Sequence, residues 1–408
     1  MRAPRPPASL VLLGLLAAGM LHAQQAPAPS DGKPPPSWQQ GRSAAQEKSP
    51  LHPFAPILTG RPASELPVDK LKVPPGFKVE VWAEGVPEAR SLALGDKGTV
   101  FVSNRNLTSV HAIVDQGGRR EVKKILTGLK SPNGIAFGKG TLYVAERHRI
   151  TRYDGIEDRL DSPPEAKVVV DNLDPSSQPG HFWKYLAMGP DNKLYFNIGA
   201  PGNIVMPNYM QATVLRVDPA TGVLETVASG VRNSVGMDFH PKTKELWFTN
   251  HARDWVDDEM PQDTLHRVAR KGMHFGYPFC HQGDFADPEF GANRSCAEFD
   301  KPYAKLGAHI APLGMRFYTG TMFPAEYQNA IFIARHGPWN RTTKYAADVV
   351  VAFLNPDGTV KQVAPFLTGL VENNGYLGRP VDVLVLKDGS LLVSDDHAGA
   401  VYRVTYSR

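Results

Sequence analysis

Asp382-Val-Leu-Val-Leu-Lys-Asp-Gly-Ser-Leu-Leu-Val-Ser394 sets two apolar runs on either side of Lys-Asp-Gly-Ser, the chemistry of a tight turn. Such a stretch reads as an antiparallel hairpin. The same unit recurs upstream, from Ser91 to Ser103, Gly134 to Ala145, Leu186 to Asn197 and Gly236 to Thr249. A looser copy runs from Gly314-Met-Arg-Phe to Ala330-Ile-Phe-Ile-Ala. Six hairpins about 40 to 85 residues apart are the signature of a radial repeat. A second marker accompanies five of them: Ala83-Glu-Gly-Val, Leu126-Thr-Gly-Leu, Val170-Asp-Asn-Leu, Ala228-Ser-Gly-Val and Leu367-Thr-Gly-Leu, with the fifth unit lacking it. The expected fold is all-β, a six-bladed β-propeller of four-stranded antiparallel blades. A ring must join its ends or expose a sheet edge, so Phe77–Trp82 is expected to pair beside Tyr402–Tyr406.

Composition agrees with this architecture. The 408 residues are 42% hydrophobic and 21% charged, enough for a large core, and 37 Gly with 36 Pro favour many turns. A net charge of +4, with 45 basic residues scattered along the chain, argues against a nucleic-acid partner. At the N-terminus Arg2 and Arg5 precede an apolar stretch, Leu10 to Leu21, and a small residue, Ala23. Residues 1–23 therefore read as an export signal, cleaved to leave no transmembrane span, and the destination as periplasmic or secreted. Residues 24–66, rich in Pro, Gln, Ala and Ser, read as a flexible linker ahead of a propeller domain over 67–408. Cys280 and Cys296, the two cysteines of an exported chain, are expected to form a disulfide.

In a propeller the first strand of each blade lines the axis, so residues just ahead of those strands converge on one face. Arg90, Asn133, His181 with Trp183 and Lys184, Arg232 with Asn233, His309 and Arg379 occupy those positions. A lone Arg or His at a strand entrance usually just satisfies nearby carbonyls; several gathered at one mouth repel one another unless an anion lies between them. A polycarboxylate cofactor meets that requirement.

With these positions marked, the chain resembles the soluble pyrroloquinoline quinone (PQQ) dehydrogenases of the glucose/sorbosone family over about residues 70–406. The resemblance is carried by Pro179-Gly-His-Phe-Trp-Lys-Tyr, Gly230-Val-Arg-Asn-Ser-Val-Gly-Met, Asp257-Asp-Glu, Gly272-Met-His-Phe-Gly-Tyr-Pro, His309-Ile-Ala-Pro-Leu-Gly-Met, His336-Gly-Pro-Trp-Asn-Arg and Gly378-Arg-Pro-Val-Asp. The His309 and His336 segments favour the sorbosone-like branch. The resemblance implies hydride transfer from a sugar or sugar aldehyde to PQQ, with His181 as general base and Arg232 stabilising charge on the quinone oxygen. It implies cofactor contacts from Asn233, Arg379, Lys184, Asn133, His336 and Arg335, and a substrate lined by Trp183, His309 and Trp339. Ca²⁺ would sit on main-chain oxygens of Arg253 and Asp254, and a periplasmic cytochrome or quinone would collect the electrons. The chain departs from glucose-type members at Gly180 and Ala200, where aspartates usually orient the base. Two other occupations stay open: a Ca²⁺-dependent propeller lactonase, and a non-catalytic propeller binding an acidic saccharide or protein.

Overall fold

The computed structural model describes residues 37–173 and 180–407; the expected export signal lies outside the described residues. Six blades, each of four antiparallel strands, follow one another along the chain, the third carrying a fifth strand, Met273–His274, that pairs in parallel with its outer edge. Their innermost strands are Leu92–Leu94, Gly134–Gly138, Leu186–Met188, Met237–Phe239, Pro312–Phe317 and Pro380–Val385. These are the first strands of the six hairpins expected from sequence. Each contacts the innermost strand of the next blade, and the sixth meets the first, which closes the ring.

The sixth blade is composite. Its strands Pro380–Val385, Leu391–Asp395 and Ala400–Tyr406 are completed by Phe77–Ala83 from the other end of the domain. The pairing expected from sequence is present, with Phe77 opposite Tyr406, Val79 opposite Val404 and Val81 opposite Tyr402. Phe77 anchors it: its ring packs against Phe323, Tyr327, Phe366 and Tyr406 at centroid distances of 4.8 to 5.2 Å. Those partners come from blades five and six, so one aromatic side chain ties the closing strand to both.

Down the axis the blades are locked by a buried polar hub. Asp382 of blade six accepts the backbone N–H of Leu92 in blade one (2.9 Å) and the hydroxyl of Tyr185 ahead of blade three (3.1 Å). Arg316 of blade five lies 3.6 Å from the same carboxylate and donates to the Tyr185 hydroxyl. The close approach leaves no room for side chains at two inner-strand glycines. A Cβ on Gly314 would strike the Asp382 carboxylate, and one on Gly236 the Leu313 carbonyl.

Outside the blades, Cys280 and Cys296 are joined in a disulfide, within the insertion between the third and fourth strands of blade four. The linker expectation needs correction in its described part. From residue 37 onward the segment lies on the propeller, held by Trp38, Gln40 and Arg42 at one end and Phe54 at the other. Its prolines keep it extended without leaving it free, because aromatic and guanidinium groups between them find partners on the domain.

Phe77→Ala should cost about 3–5 kcal/mol of unfolding free energy, since the ring is buried among four others. Urea denaturation of wild type and variant checks this, and a loss below about 1 kcal/mol would contradict the role given to the closing strand.

Candidate active site

One cavity of about 310 Å³ opens at the end of the axis, within the size range of small-molecule sites. Two sets of loops build it. One set precedes the innermost strands and brings Arg90, His181 with Trp183, Arg232 with Asn233, His309 and Arg379. The other set follows the second strand of each blade and brings Arg105, Asn203, His251 with Asp254, His336 with Trp339 and Asn340. Antiparallel geometry explains the second set: a strand leaving the mouth must be followed by one returning to it, so the loop after strand two opens on the same face.

His181 is oriented by backbone. Its Nδ1 lies 3.0 Å from the Ala200 carbonyl, which only accepts, so Nδ1 carries the proton and Nε2 keeps the lone pair. The His181 backbone N–H also donates to that carbonyl, at 3.0 Å. Burial, then the adjacent Arg232 charge, hold the imidazole pKa well below its usual value, so the ring is neutral. The two departures from glucose-type sequences thus have a structural account. A Cβ at Gly180 would lie 2.7 Å from the Pro201 backbone, so an aspartate there would require the backbone to shift, and residue 200 orients the imidazole through its carbonyl.

Arg232 is buried and held on three sides. Its Nε donates to the Asn203 carbonyl (2.8 Å), and its Nη2 to Asn203 Oδ1 (2.8 Å) and Asp254 Oδ2 (2.9 Å). Asn340 donates 2.6 Å to the other oxygen of Asp254 and lies 3.2 Å from His309 Nδ1. Asn233 Nδ2 is 3.1 Å from His251 Nδ1, while Asn233 Oδ1 is buried with no partner.

Across the mouth, Asp396 accepts from Arg90 Nη1 (2.7 Å) and His336 Nε2 (2.8 Å). Those two neighbours and Arg379 drive its pKa far below the usual carboxylate range despite burial. Arg379 donates to the carbonyls of His336 (3.0 Å) and Gly337 (2.8 Å). Arg105 stacks 3.9 Å over Trp183, its nearest carboxylate being Glu88 at 3.8 Å. Burial and the Arg90 charge push its pKa down to about 10, and its Nε is buried without a hydrogen-bond partner.

Three expectations about the mouth are corrected. It is not a socket of uncompensated cations: Arg90, Arg232 and Arg105 each face a carboxylate, Asp396, Asp254 and Glu88, while the hydrogen bonds of Arg379 go to carbonyls. Four of the expected site residues do not reach the cavity. Lys184 donates to the Phe182 and Arg147 carbonyls, and Asn133 sits one layer below, accepting from Arg90 and donating to Lys184 O. Arg335 pairs with Asp348, because strand alternation turns it away from the face that His336 takes, and Arg253 pairs with Asp287 and Glu289. Third, in the loop expected to bind Ca²⁺ through main-chain oxygens, the Asp254 oxygens are already engaged. The Asp254 carbonyl accepts from Asn203, and its carboxylate serves Arg232 and Asn340. A hard cation on the Asp254 oxygens would have to compete with those partners.

Comparison with known proteins gives a consistent placement. A family model described as TrAA12-like matches residues 71–407. An uncharacterized protein of Borreliella burgdorferi is 30% identical over 85% of this chain and 93% of its own length. The pyrroloquinoline quinone-dependent pyranose dehydrogenase of Coprinopsis cinerea is 24% identical over 84% of this chain, which spans only 55% of that longer protein. The calcium structure of the Trichoderma reesei family AA12 enzyme superposes with a TM-score of 0.71 at 18% identity, covering 88% of this chain and all of that one, a likeness of fold. The sorbosone-like branch inferred from the His309 and His336 segments is therefore corrected: the chain belongs to the TrAA12-like family.

Proposed function

We propose that this protein is a quinone-dependent sugar dehydrogenase that oxidises a pyranose, binding PQQ in the cavity at the propeller mouth. The observation that carries this is the neutral, carbonyl-oriented His181 sharing that cavity with Arg232 and Arg379. The donor set suits PQQ on its own terms. Arg379, whose hydrogen bonds go to backbone carbonyls, matches a ligand carboxylate, as does Arg105, whose Nε is buried without a hydrogen-bond partner, and the orphaned Asn233 Oδ1 matches a ligand N–H. The relatives named above support the same assignment.

When bound, PQQ supplies the acceptor for the hydride that leaves the sugar carbon. His181 Nε2 takes the proton of the hydroxyl on that carbon, so the C–H and O–H bonds become a carbonyl, one hydride and one proton. Arg232, fixed by Asn203 and Asp254, stabilises the negative charge that grows as hydride arrives. Arg379 would hold a cofactor carboxylate through the guanidinium N–H groups that the His336 and Gly337 carbonyls leave open. Trp183 and Trp339 offer flat apolar walls to a sugar ring, and His309, both ring nitrogens of which are taken by Asp257 O and Asn340, completes the lining beside them. Two electrons then pass to a periplasmic or extracellular acceptor such as a cytochrome or quinone. Export to that compartment is part of the proposal; no helix among the described residues is long and apolar enough to cross a membrane. The lactonase alternative gains nothing here, since of the carboxylates lining the cavity Asp254 is engaged by Arg232 and Asn340 and Asp263 by the backbone N–H groups of Ala252 and Ala311.

Wild type mixed with PQQ should reduce a dye in the presence of a monosaccharide. His181→Ala should lower kcat about 100-fold or more with quinone affinity little changed. Arg379→Ala should instead weaken quinone binding about tenfold, followed by tryptophan-fluorescence quenching. If wild type binds no quinone at micromolar concentration, the proposal fails. The pH profile supplies a separate check. Burial, Arg232 and His251 all favour neutral His181, so the base stays competent below pH 6.5 and the acid limb of kcat/KM should fall beneath that value. An acid limb that lies above pH 6.5 and disappears in the His181 variant would contradict the assignment.

A further inference from the structure

The family match begins at residue 71, yet three residues of the segment before it line the cavity: Trp38, Pro53 and Phe54. The segment runs from one side of the mouth to the other. At the Arg232 side, Trp38 sets its ring edge-on to Trp339, 6.1 Å between centroids, and its carbonyl accepts from the indole N–H of Trp255. Arg42 lies 4.1 Å over the Trp255 ring and donates to the carbonyls of Glu47 (3.2 Å) and Leu51 (3.4 Å), which ties the intervening turn to its own start. At the Arg379 side, Phe54 meets Tyr376 edge-on at 5.5 Å and covers the Arg379 guanidinium at 5.1 Å. Beyond it the chain is pinned again, Arg61 N–H donating to the Ala398 carbonyl at 3.1 Å.

The segment also reaches the machinery directly. Asn203 donates through its side chain to the Gln40 carbonyl (2.7 Å) and through its backbone to Gln40 Oε1 (3.2 Å), while its own carbonyl and Oδ1 hold Arg232. A Cβ on neighbouring Gly202 would collide with Gln40, so glycine there admits the strap.

We propose that residues 38–54 are a built-in strap over the active-site mouth, with Trp38 and Phe54 forming the outer wall of the substrate position and fitting it to a single pyranose ring. The strap occupies the side through which a longer saccharide would extend, and it presents aromatic faces of the kind that stack on the apolar face of a sugar. Gln40 acts as a positioning residue, holding Asn203 and through it Arg232. This inference rests on the dehydrogenase assignment above.

Wild type, Trp38→Ala and Phe54→Ala, substituted at opposite ends of the strap, are loaded with PQQ. Quinone release is then followed by recovery of tryptophan fluorescence on dilution, and steady-state kinetics are measured with a monosaccharide panel and with maltotriose. Release from both variants should be about tenfold faster, and KM for the best monosaccharide should rise more than kcat falls. The ratio of kcat/KM for maltotriose to that for the monosaccharide should rise about tenfold. Release rates and substrate ratios indistinguishable from wild type in both variants would overturn the strap while leaving the dehydrogenase assignment standing. Faster release without any sugar-dependent dye reduction in wild type would keep a strap over the quinone, and overturn both the sugar specificity and the dehydrogenase assignment. If wild type binds no quinone, both fall.

Discussion

Everything at the mouth depends on a ring that closes, and the ring closes through one pairing, Phe77–Ala83 against Ala400–Tyr406. Without it blade six would present an open edge, and the loops from blades six and one would lose their fixed separation. Arg90 and Asp396 show what is at stake, since one precedes blade one, the other belongs to blade six, and they meet at 2.7 Å. Asp382 repeats the logic at the axis by joining blade six to blade one through Leu92 N and to the approach of blade three through Tyr185. A buried carboxylate is costly unless its oxygens are filled, and here a backbone N–H, a hydroxyl and the nearby Arg316 fill them. The same groups that satisfy Asp382 therefore hold different blades in one register.

The architecture was legible in the sequence because it is written in repeats and period-two alternation, which survive loop insertions. Five hairpins and the closing strand fell where the turn chemistry put them; the loose fifth hairpin followed from analogy to the others. Half of the site was legible for a related reason. Residues ahead of innermost strands can be located once those strands are known, and His181, Arg232, Asn233, His309 and Arg379 line the cavity.

The other half needed a further geometric step. Arg105, Asn203, Asp254 as a side chain, Asn340 and Asp396 follow second strands, and antiparallel return brings them to the same face. Applying that rule to the sequence would have located the carboxylates and removed the picture of an uncompensated cationic socket. Lys184, Asn133 and Arg335 do not reach the cavity because position along the chain does not fix direction: each side chain turns to a carbonyl, amide or carboxylate beside it. The strap was hidden by composition, since a Pro- and Gln-rich stretch shows no periodicity whether it is free or laid along a surface.

The exchange of a carboxylate for a carbonyl behind His181 has consequences for the chemistry. A carboxylate partner raises the proton affinity of an imidazole by stabilising its charged form; a carbonyl fixes the same tautomer with dipole strength only. Arg232 acts in the opposite direction, disfavouring imidazolium next to it. In the proposed reaction His181 would thus be a weaker base than a carboxylate-backed one, and less of the proton-transfer driving force would come from it. The balance would shift to the charge that Arg232 is proposed to stabilise on the acceptor side, a role that its rigid mounting suits. Asn203 and Asp254 leave its guanidinium little freedom to swing, so its field is in place before charge develops and no reorganisation opposes the transfer. Tilting Arg232 by loosening Asn203 would therefore slow the chemical step more than it weakens substrate binding, because the arginine interacts most strongly with charge that exists only in the transition state.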